Sequence, residues 1–212
     1  MTQAKQPQGR RRNLKEEQRR AQIKDAAINL FSTKGYQQST MDDLAEAAGV
    51  SKSLIYWYWD GKSTLLNELI DTCMEPYIDL LSAAAASETP FINKFHKLLW
   101  DFMEMFRNND RLNKLVHFCS LHQSKNENEN FAKHVNDHYQ KVLTHLEILA
   151  EQAVSAGFLP METDCEAMAL LLLTLTEGHI YMSILENRMP PERVYASMVP
   201  PLLKSIGAGK RP

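Results

Sequence analysis

The chain is poor in whatever would staple it, anchor it or give it catalytic chemistry. Its three cysteines, Cys73, Cys119 and Cys165, are odd in number and far apart. They form neither a disulfide framework nor a CxxC metal knuckle, and reduced, buried thiols are the expectation. No apolar run approaches the ~20 residues of a membrane-spanning helix; the longest, AMALLLLTL from Ala167 to Leu175, falls well short. The opening stretch MTQAKQPQGRRRNLKEEQRR has the charge of a secretory signal without the apolar segment that follows one. A cytoplasmic protein with no membrane partner is expected. No segment alternates apolar and polar residues long enough to make a strand. A catalytic dyad, a Cys-His pair and a carboxylate cluster are all missing, so the chain does not read as an enzyme.

Even the one string that imitates a nucleotide site fails. Gly61-Lys62-Ser63 ends as a phosphate-binding loop ends, but G-x-x-x-x-G-K-S would need a glycine at position 56, where Tyr56 stands. Such a loop also follows a strand, whereas this one follows four aromatics, Tyr56-Trp57-Tyr58-Trp59.

What is present is helical periodicity and an uneven charge. The net charge is −2, yet residues 1–62 hold 11 Lys and Arg against 7 Asp and Glu, and the remainder 13 against 19. A basic front on an acidic body suggests that the front alone meets a polyanion. Residues 1–14 are polar and basic, with Pro7 and Gly9, and are expected to form a mobile arm. Arg10, Arg11, Arg12, Arg19, Arg20 and Lys24 then suit phosphate contacts or a minor groove. Ile23, Ala26, Ala27, Leu30 and Phe31 mark one face of a helix stopped at Gly35. Met41, Leu44, Ala45 and Ala48 mark a shorter one ending at Gly49, with Ser39 and Asp42 as a capping-box-like start. Ser51 can cap a third, carrying Leu54, Ile55, Tyr58 and Trp59.

Longer helices follow: 62–86, disturbed at Pro76; Thr89-Pro90 to about Asn108; Asp110 to about Ser124; Asn130 to Ala156, closed by Gly157; Thr163 to Arg188; and a last one from Pro190-Pro191 to near Gly207. The fold class is all-α, with about nine helices. The expected division is a mobile basic arm (1–14), a helix-turn-helix domain (15–62) and a larger helical domain (63–212).

Ala47-Ala48-Gly49-Val50 joins two short helices as the turn of a helix-turn-helix, where Gly49 supplies positive φ. Val50, Ile55 and Trp59 fold under, leaving Lys52, Ser53, Tyr56 and Trp57 facing outward at the end where a recognition helix touches a major groove.

From Gln22 to Leu66 the sequence resembles the DNA-binding domain of TetR-family transcriptional regulators. The resemblance rests on AAINLFSTKGY (26–36), STMDDLAEAAGVS (39–51) and KSLIYWYWDGKSTLL (52–66). It implies that Thr40 offers a hydroxyl to phosphate, and that Lys52 and Tyr56 contact backbone or bases. It also implies that Ser53, Leu54 and Trp57 hold the variable reading positions, next to the capping Ser51. Lys62 falls where the family sets a lysine against phosphate, at a helix N-terminus. Leu54 and Trp57 depart from the usual small, polar or His/Tyr residues, and Trp59 replaces the usual Phe. Both reading positions can touch a thymine methyl, but neither supplies a bidentate hydrogen bond.

In the larger domain, a family member would enclose a ligand cavity. Trp100, Met103, Phe106, Phe118, His122, Tyr139, His179 and Met182 are the candidates for its lining, a mixture suited to a hydrophobic or aromatic effector. The Thr163–Arg188 helix is apolar around most of its circumference, so it needs cover beyond its own core. Leu171, Leu175 and Gly178, with Met198 and Leu202 of the last helix, are the expected homodimer interface. His134 and His138 stand at i, i+4, with His145 two turns on, a spacing zinc can use. No third ligand follows at a diagnostic spacing, so neither a metal nor a cofactor is expected.

The expected function is that of a homodimeric repressor on a pseudo-palindromic double-stranded DNA operator, released by a small-molecule effector. The 62–86 helix would act as hinge, with Pro76 as a weak point. The alternative is an architectural or protein-partner-controlled DNA binder without such an effector.

Overall fold

The structure, a computed structural model, describes residues 8–108, 111–116, 129–184 and 193. Seven helices are assigned along it: α1 (Gln8–Lys34), α2 (Met41–Ala48), α3 (Lys52–Tyr58), α4 (Lys62–Ala86), α5 (Phe91–Asn108), α6 (Glu129–Ser155) and α7 (Cys165–Ile184). Residues 111–116 are also helical. No strand occurs among the described residues. Apart from residue 193, the last expected helix, from Pro190-Pro191 to near Gly207, lies outside them, as do residues 185–188 and most of the helix expected at 110–124.

Helix α1 reaches back to Gln8, into the stretch expected to be an arm. Beyond Gly9 that stretch is made of good helix formers with no further Gly or Pro, so propagation is cheap once the downstream turns are packed. The helix ends where Gly35 takes φ +87 and its N–H returns to the Phe31 carbonyl at 3.1 Å. Helix α4 runs unbroken through Pro76 as a single 25-residue element.

The chain divides into two compact units, 1–69 and 70–212, beyond the 62/63 boundary expected from sequence and within α4. In the first, Ile23, Ala27 and Phe31 of α1 are buried, as are Met41, Leu44 and Ala48 of α2, Ile55 of α3, Trp59, and Leu65, Leu66 and Leu69 of α4. Those positions repeat at helical spacing, which fixes one inward face per helix. In the second, Leu81, Val142, Leu146, Leu149, Ala169 and Leu173 form the core where α4, α6 and α7 meet.

Candidate nucleic-acid interface and cavity

The turn between α2 and α3 is built as the sequence requires. Gly49 adopts φ +62, ψ +37, and the N–H groups of Gly49 and Val50 close α2 on the carbonyls of Glu46 and Ala45, each at 3.1 Å. Ser51 caps α3, its Oγ accepting from the Leu54 N–H at 3.3 Å. Ile55 and Trp59 then point into the core, while Ser51, Lys52, Ser53, Tyr56 and Trp57 are exposed and Leu54 is half-buried. Trp57 is 65% exposed, its ring edge-on to Tyr58 at 4.7 Å. Apart from that ring contact, an indole this open to water leaves most of its surface free to meet another molecule. Lys52 pairs with Asp42 at 2.8 Å on the exposed face. A lysine held by an exposed carboxylate can exchange it for phosphate at little cost.

Two of the expected phosphate contacts have other employment. The α2 capping box is Thr40 with Asp43, one residue beyond the expected Ser39 and Asp42. Thr40 Oγ1 accepts from the Asp43 N–H at 3.1 Å, and the Thr40 N–H donates to Asp43 Oδ2 at 2.8 Å. Ser39 is buried instead, and its hydroxyl donates to the Gly35 carbonyl at 2.7 Å. The Thr40 hydroxyl also bonds the Asp43 carboxylate, so it would have to exchange that partner to meet a phosphate.

Lys62 is a larger departure. Its ammonium is turned inward, donating to the carbonyls of Tyr36, Gln37 and Ser39 at 2.6, 3.3 and 2.8 Å, with the Tyr36 ring centroid 4.4 Å away. An ammonium has three donors, and all three have acceptors. Burial lowers its pKa. In this geometry Lys62 ties the α1–α2 turn to the start of α4 rather than reaching a phosphate.

Part of the basic front is likewise paired within its own unit. Glu68 accepts from Trp59 Nε1 at 2.6 Å and pairs with Arg20 at 2.5 Å and Lys24 at 3.4 Å, and the Arg20 guanidinium lies 5.5 Å from the Trp59 ring. Arg20 and Lys24, expected to track phosphate, thus hold α1 to α4. Arg19 stays at the surface, bonded to Gln22. The side chains of Arg10, Arg11 and Arg12 lie outside the described residues.

In the second unit a cavity of about 50 Å³ is lined by Cys73, Met74 and Tyr77 of α4, Phe102 and Met105 of α5, Asn113 and Val116, Tyr139 of α6, and Leu173, Thr176 and Glu177 of α7. Of the expected lining residues Tyr139 is present. Trp100 and Met182 are instead on the surface, about half exposed, because the inward face of each helix lies a few residues round from them. Phe118 and His122, and the side chains of Met103, Phe106 and His179, lie outside the described residues. The cavity is apolar with a polar edge. The Tyr139 hydroxyl bonds the Glu177 carboxylate, and both Tyr139 and Tyr77 titrate higher than usual, through burial first and the Glu177 charge second. Burial, with Glu177 next, pushes the Cys73 thiol to about 12. Its Sγ lies 3.0 Å from Asn113 Oδ1.

Helix α7 leaves an apolar stripe uncovered. Leu171, Leu175, Gly178 and Met182, at i, i+4, i+7 and i+11, are all exposed, with Leu170 beside them. Nothing within 4 Å would meet a Cβ at Gly178. Met198 and Leu202 lie outside the described residues. No helix among the described residues is long and apolar enough to cross a membrane.

A capped short helix offering Ser53, Tyr56 and Trp57 across a tight glycine turn, ahead of a separate cavity-bearing unit, defines a helix-turn-helix DNA-binding regulator. Residues 23–69 match the model for bacterial regulatory proteins of the tetR family, and residues 120–198 that for the tetracyclin repressor-like C-terminal domain. The chain belongs to the TetR family of transcriptional regulators. HTH-type transcriptional regulator TtgR of Pseudomonas putida is 29% identical over 184 residues, covering 80% of this chain and 82% of TtgR. SmeT, the repressor of the Stenotrophomonas maltophilia multidrug efflux pump SmeDEF, has the same fold with a TM-score of 0.68, at 17% identity over 82% of each chain. FadR from Bacillus subtilis, in complex with stearoyl-CoA, does so at 0.70 and 18% identity, covering 90% of this chain and 99% of FadR.

Proposed function

We propose that this regulator is a homodimeric repressor, released from a pseudo-palindromic operator by a small, largely apolar molecule that carries a hydrogen-bond donor. The observation that carries the reading is the cavity walled by α4, α5, α6 and α7. Its aliphatic and aromatic walls favour an apolar body, and the carboxylate of Glu177 favours a ligand donor such as a phenol or an amine.

A cavity of about 50 Å³ holds a few waters, whereas pockets for drug-sized ligands run from roughly 300 Å³ upward. The ligand therefore has to move the walls. One wall is α4, the helix that opens at Lys62 in the DNA-binding unit. A ligand that binds the opened state more tightly shifts the population toward it, and operator affinity falls by at most that ratio of affinities.

The test is a band shift on a selected operator, titrated with apolar phenols and amines. Leu173→Trp, which fills the cavity, is expected to keep operator binding and lose release. Release that survives in this variant sinks the cavity reading. Release by a protein fraction, with small molecules inert, favours the partner-controlled alternative.

A further inference from the structure

The histidine pair on α6 has a third member that its sequence neighbourhood does not advertise. His134 and His138 stand one turn apart, with ring centroids separated by 4.8 Å. Asp71 of α4, 63 residues from His134 in the chain, reaches both. Its Oδ1 lies 2.7 Å from His134 Nε2 and 3.2 Å from His138 Nε2. All three donor atoms fall within 4.8 Å of one another.

His138 decides what this arrangement can do. Its Nδ1 is 2.9 Å from the His134 carbonyl oxygen. A carbonyl only accepts, so Nδ1 carries the proton and a neutral ring presents a lone pair at Nε2. That Nε2 is buried, on a residue 3% exposed, and has no hydrogen-bond partner. A buried lone pair set 3.2 Å from a carboxylate oxygen is an unfavourable arrangement that either a proton or a metal cation between the two relieves.

We propose that Asp71, His134 and His138 bind a divalent transition-metal ion of the zinc type. Two imidazoles and one carboxylate are the borderline donors such ions take, and i, i+4 histidines place two of them on one helix face. The bond from Nδ1–H to a main-chain carbonyl is the one that orients a metal-bound histidine and sharpens its basicity. Ligands of a tetrahedral ion at 2.0–2.1 Å lie about 3.3–3.4 Å from one another. The 2.7 Å pair therefore opens slightly and the widest pair closes, both within reach of side-chain rotation. His134 gives up its Nε2 proton and carries it on Nδ1 instead. The side chains of Asp71 and His134 are 40% and 29% exposed, which leaves the fourth position open to water and gives the ion a way in. None of the three lines the cavity, so ion and effector do not compete for the same space. The bound ion fastens α4 to α6.

The test uses the full chain, stripped with chelator and then titrated with ZnCl2 by calorimetry and with CoCl2 by visible absorption. One ion per chain is expected, with the cobalt band of a four- or five-coordinate nitrogen–oxygen site and a rise in melting temperature with zinc. Asp71→Asn and His134→Ala remove partly exposed ligands and are expected to weaken binding by more than the roughly 10–100-fold that losing an outer hydrogen-bond partner costs. His138→Gln is buried, so its helical circular dichroism is checked alongside. His145→Gln, on the same helix but outside the cluster, is expected to bind normally. Zinc binding undiminished in Asp71→Asn and His134→Ala, or no one-to-one binding of either ion, overturns the proposal.

Discussion

The ammonium of Lys62 donates to the Tyr36 carbonyl at 2.6 Å, which gives an internal partner to a residue whose position suggests a DNA phosphate. With Gln37 and Ser39 completing its donors, Lys62 ties the turn before α2 to the first residue of α4. Lys62→Ala leaves three carbonyls to find water and is expected to destabilise the DNA-binding unit by about 1.5–3 kcal/mol, the range for hydrogen bonds to a charged group. Lys62→Met, which keeps the stem, should lose nearly as much. Denaturant midpoints check this. The salt dependence of operator binding separates the roles, since removing one phosphate contact flattens the log–log slope by about 0.9. A flattened slope with unchanged stability would return Lys62 to the phosphate.

Two carboxylates of the same unit make its stability acid-sensitive. Hydrogen bonds from Lys34 and then Thr40 hold Asp43 down at about 2. Burial pushes Glu68 upward, but the bonds from Arg20 and Trp59 and the charges of Arg20 and Lys24 outweigh it, and its pKa is lowered. A carboxyl group depressed in the folded state stabilises the fold above its unfolded pKa of about 4, and that contribution disappears as pH falls through the folded value. Stability is therefore expected to decline from about pH 4 toward pH 2. Denaturant midpoints across that window should fall less steeply in Asp43→Asn. Equal steepness in the variant and the parent would show that the capping box carries no such linkage.

The sequence was most legible where one helix suffices. Gly49, the Ser51 cap and the inward turn of Ile55 and Trp59 follow from spacing and φ alone. It misled where two neighbouring residues fit one local rule. Ser39/Asp42 and Thr40/Asp43 have the same spacing, and burial of Ser39 decides between them. It was silent where helices distant in sequence meet. Tyr139 could be chosen for the cavity from its own helix, but Cys73, Tyr77 and Glu177 join it only because α4 and α7 turn those faces inward. His134 and His138 showed their pairing, while Asp71 is set beside them by packing alone.

Tyr56 and Trp57 should separate affinity from specificity. Both are exposed on α3, at 46% and 65%, so neither substitution disturbs the core. Tyr56→Phe removes one hydroxyl and is expected to weaken operator and random DNA alike, as loss of a phosphate contact does. Trp57→Ala removes a large apolar surface at a proposed reading position and is expected to change which sequence is preferred. Selection of binding sites from a random pool by each variant checks this. The same preferred sequence for Trp57→Ala as for the parent would exclude the indole from base reading.

The stripe on α7 carries the expectation of a dimer. Leu171, Leu175 and Met182 are 51, 57 and 45% exposed in a single chain, and with Gly178 they occupy one side of a helix. A stripe of this kind is a surface that wants a partner, and a two-fold copy of itself supplies one with matched shape. Leu175→Glu would set a charge opposite its own symmetry mate. The expected result is a monomer by light scattering that keeps its helical content. Because two half-sites then bind independently, operator affinity should fall by at least about a hundredfold. Met161→Glu, at an exposed position off the stripe, is the matched control and should leave both unchanged. A Leu175→Glu protein that remains dimeric with full operator affinity would place the dimer interface elsewhere on the chain.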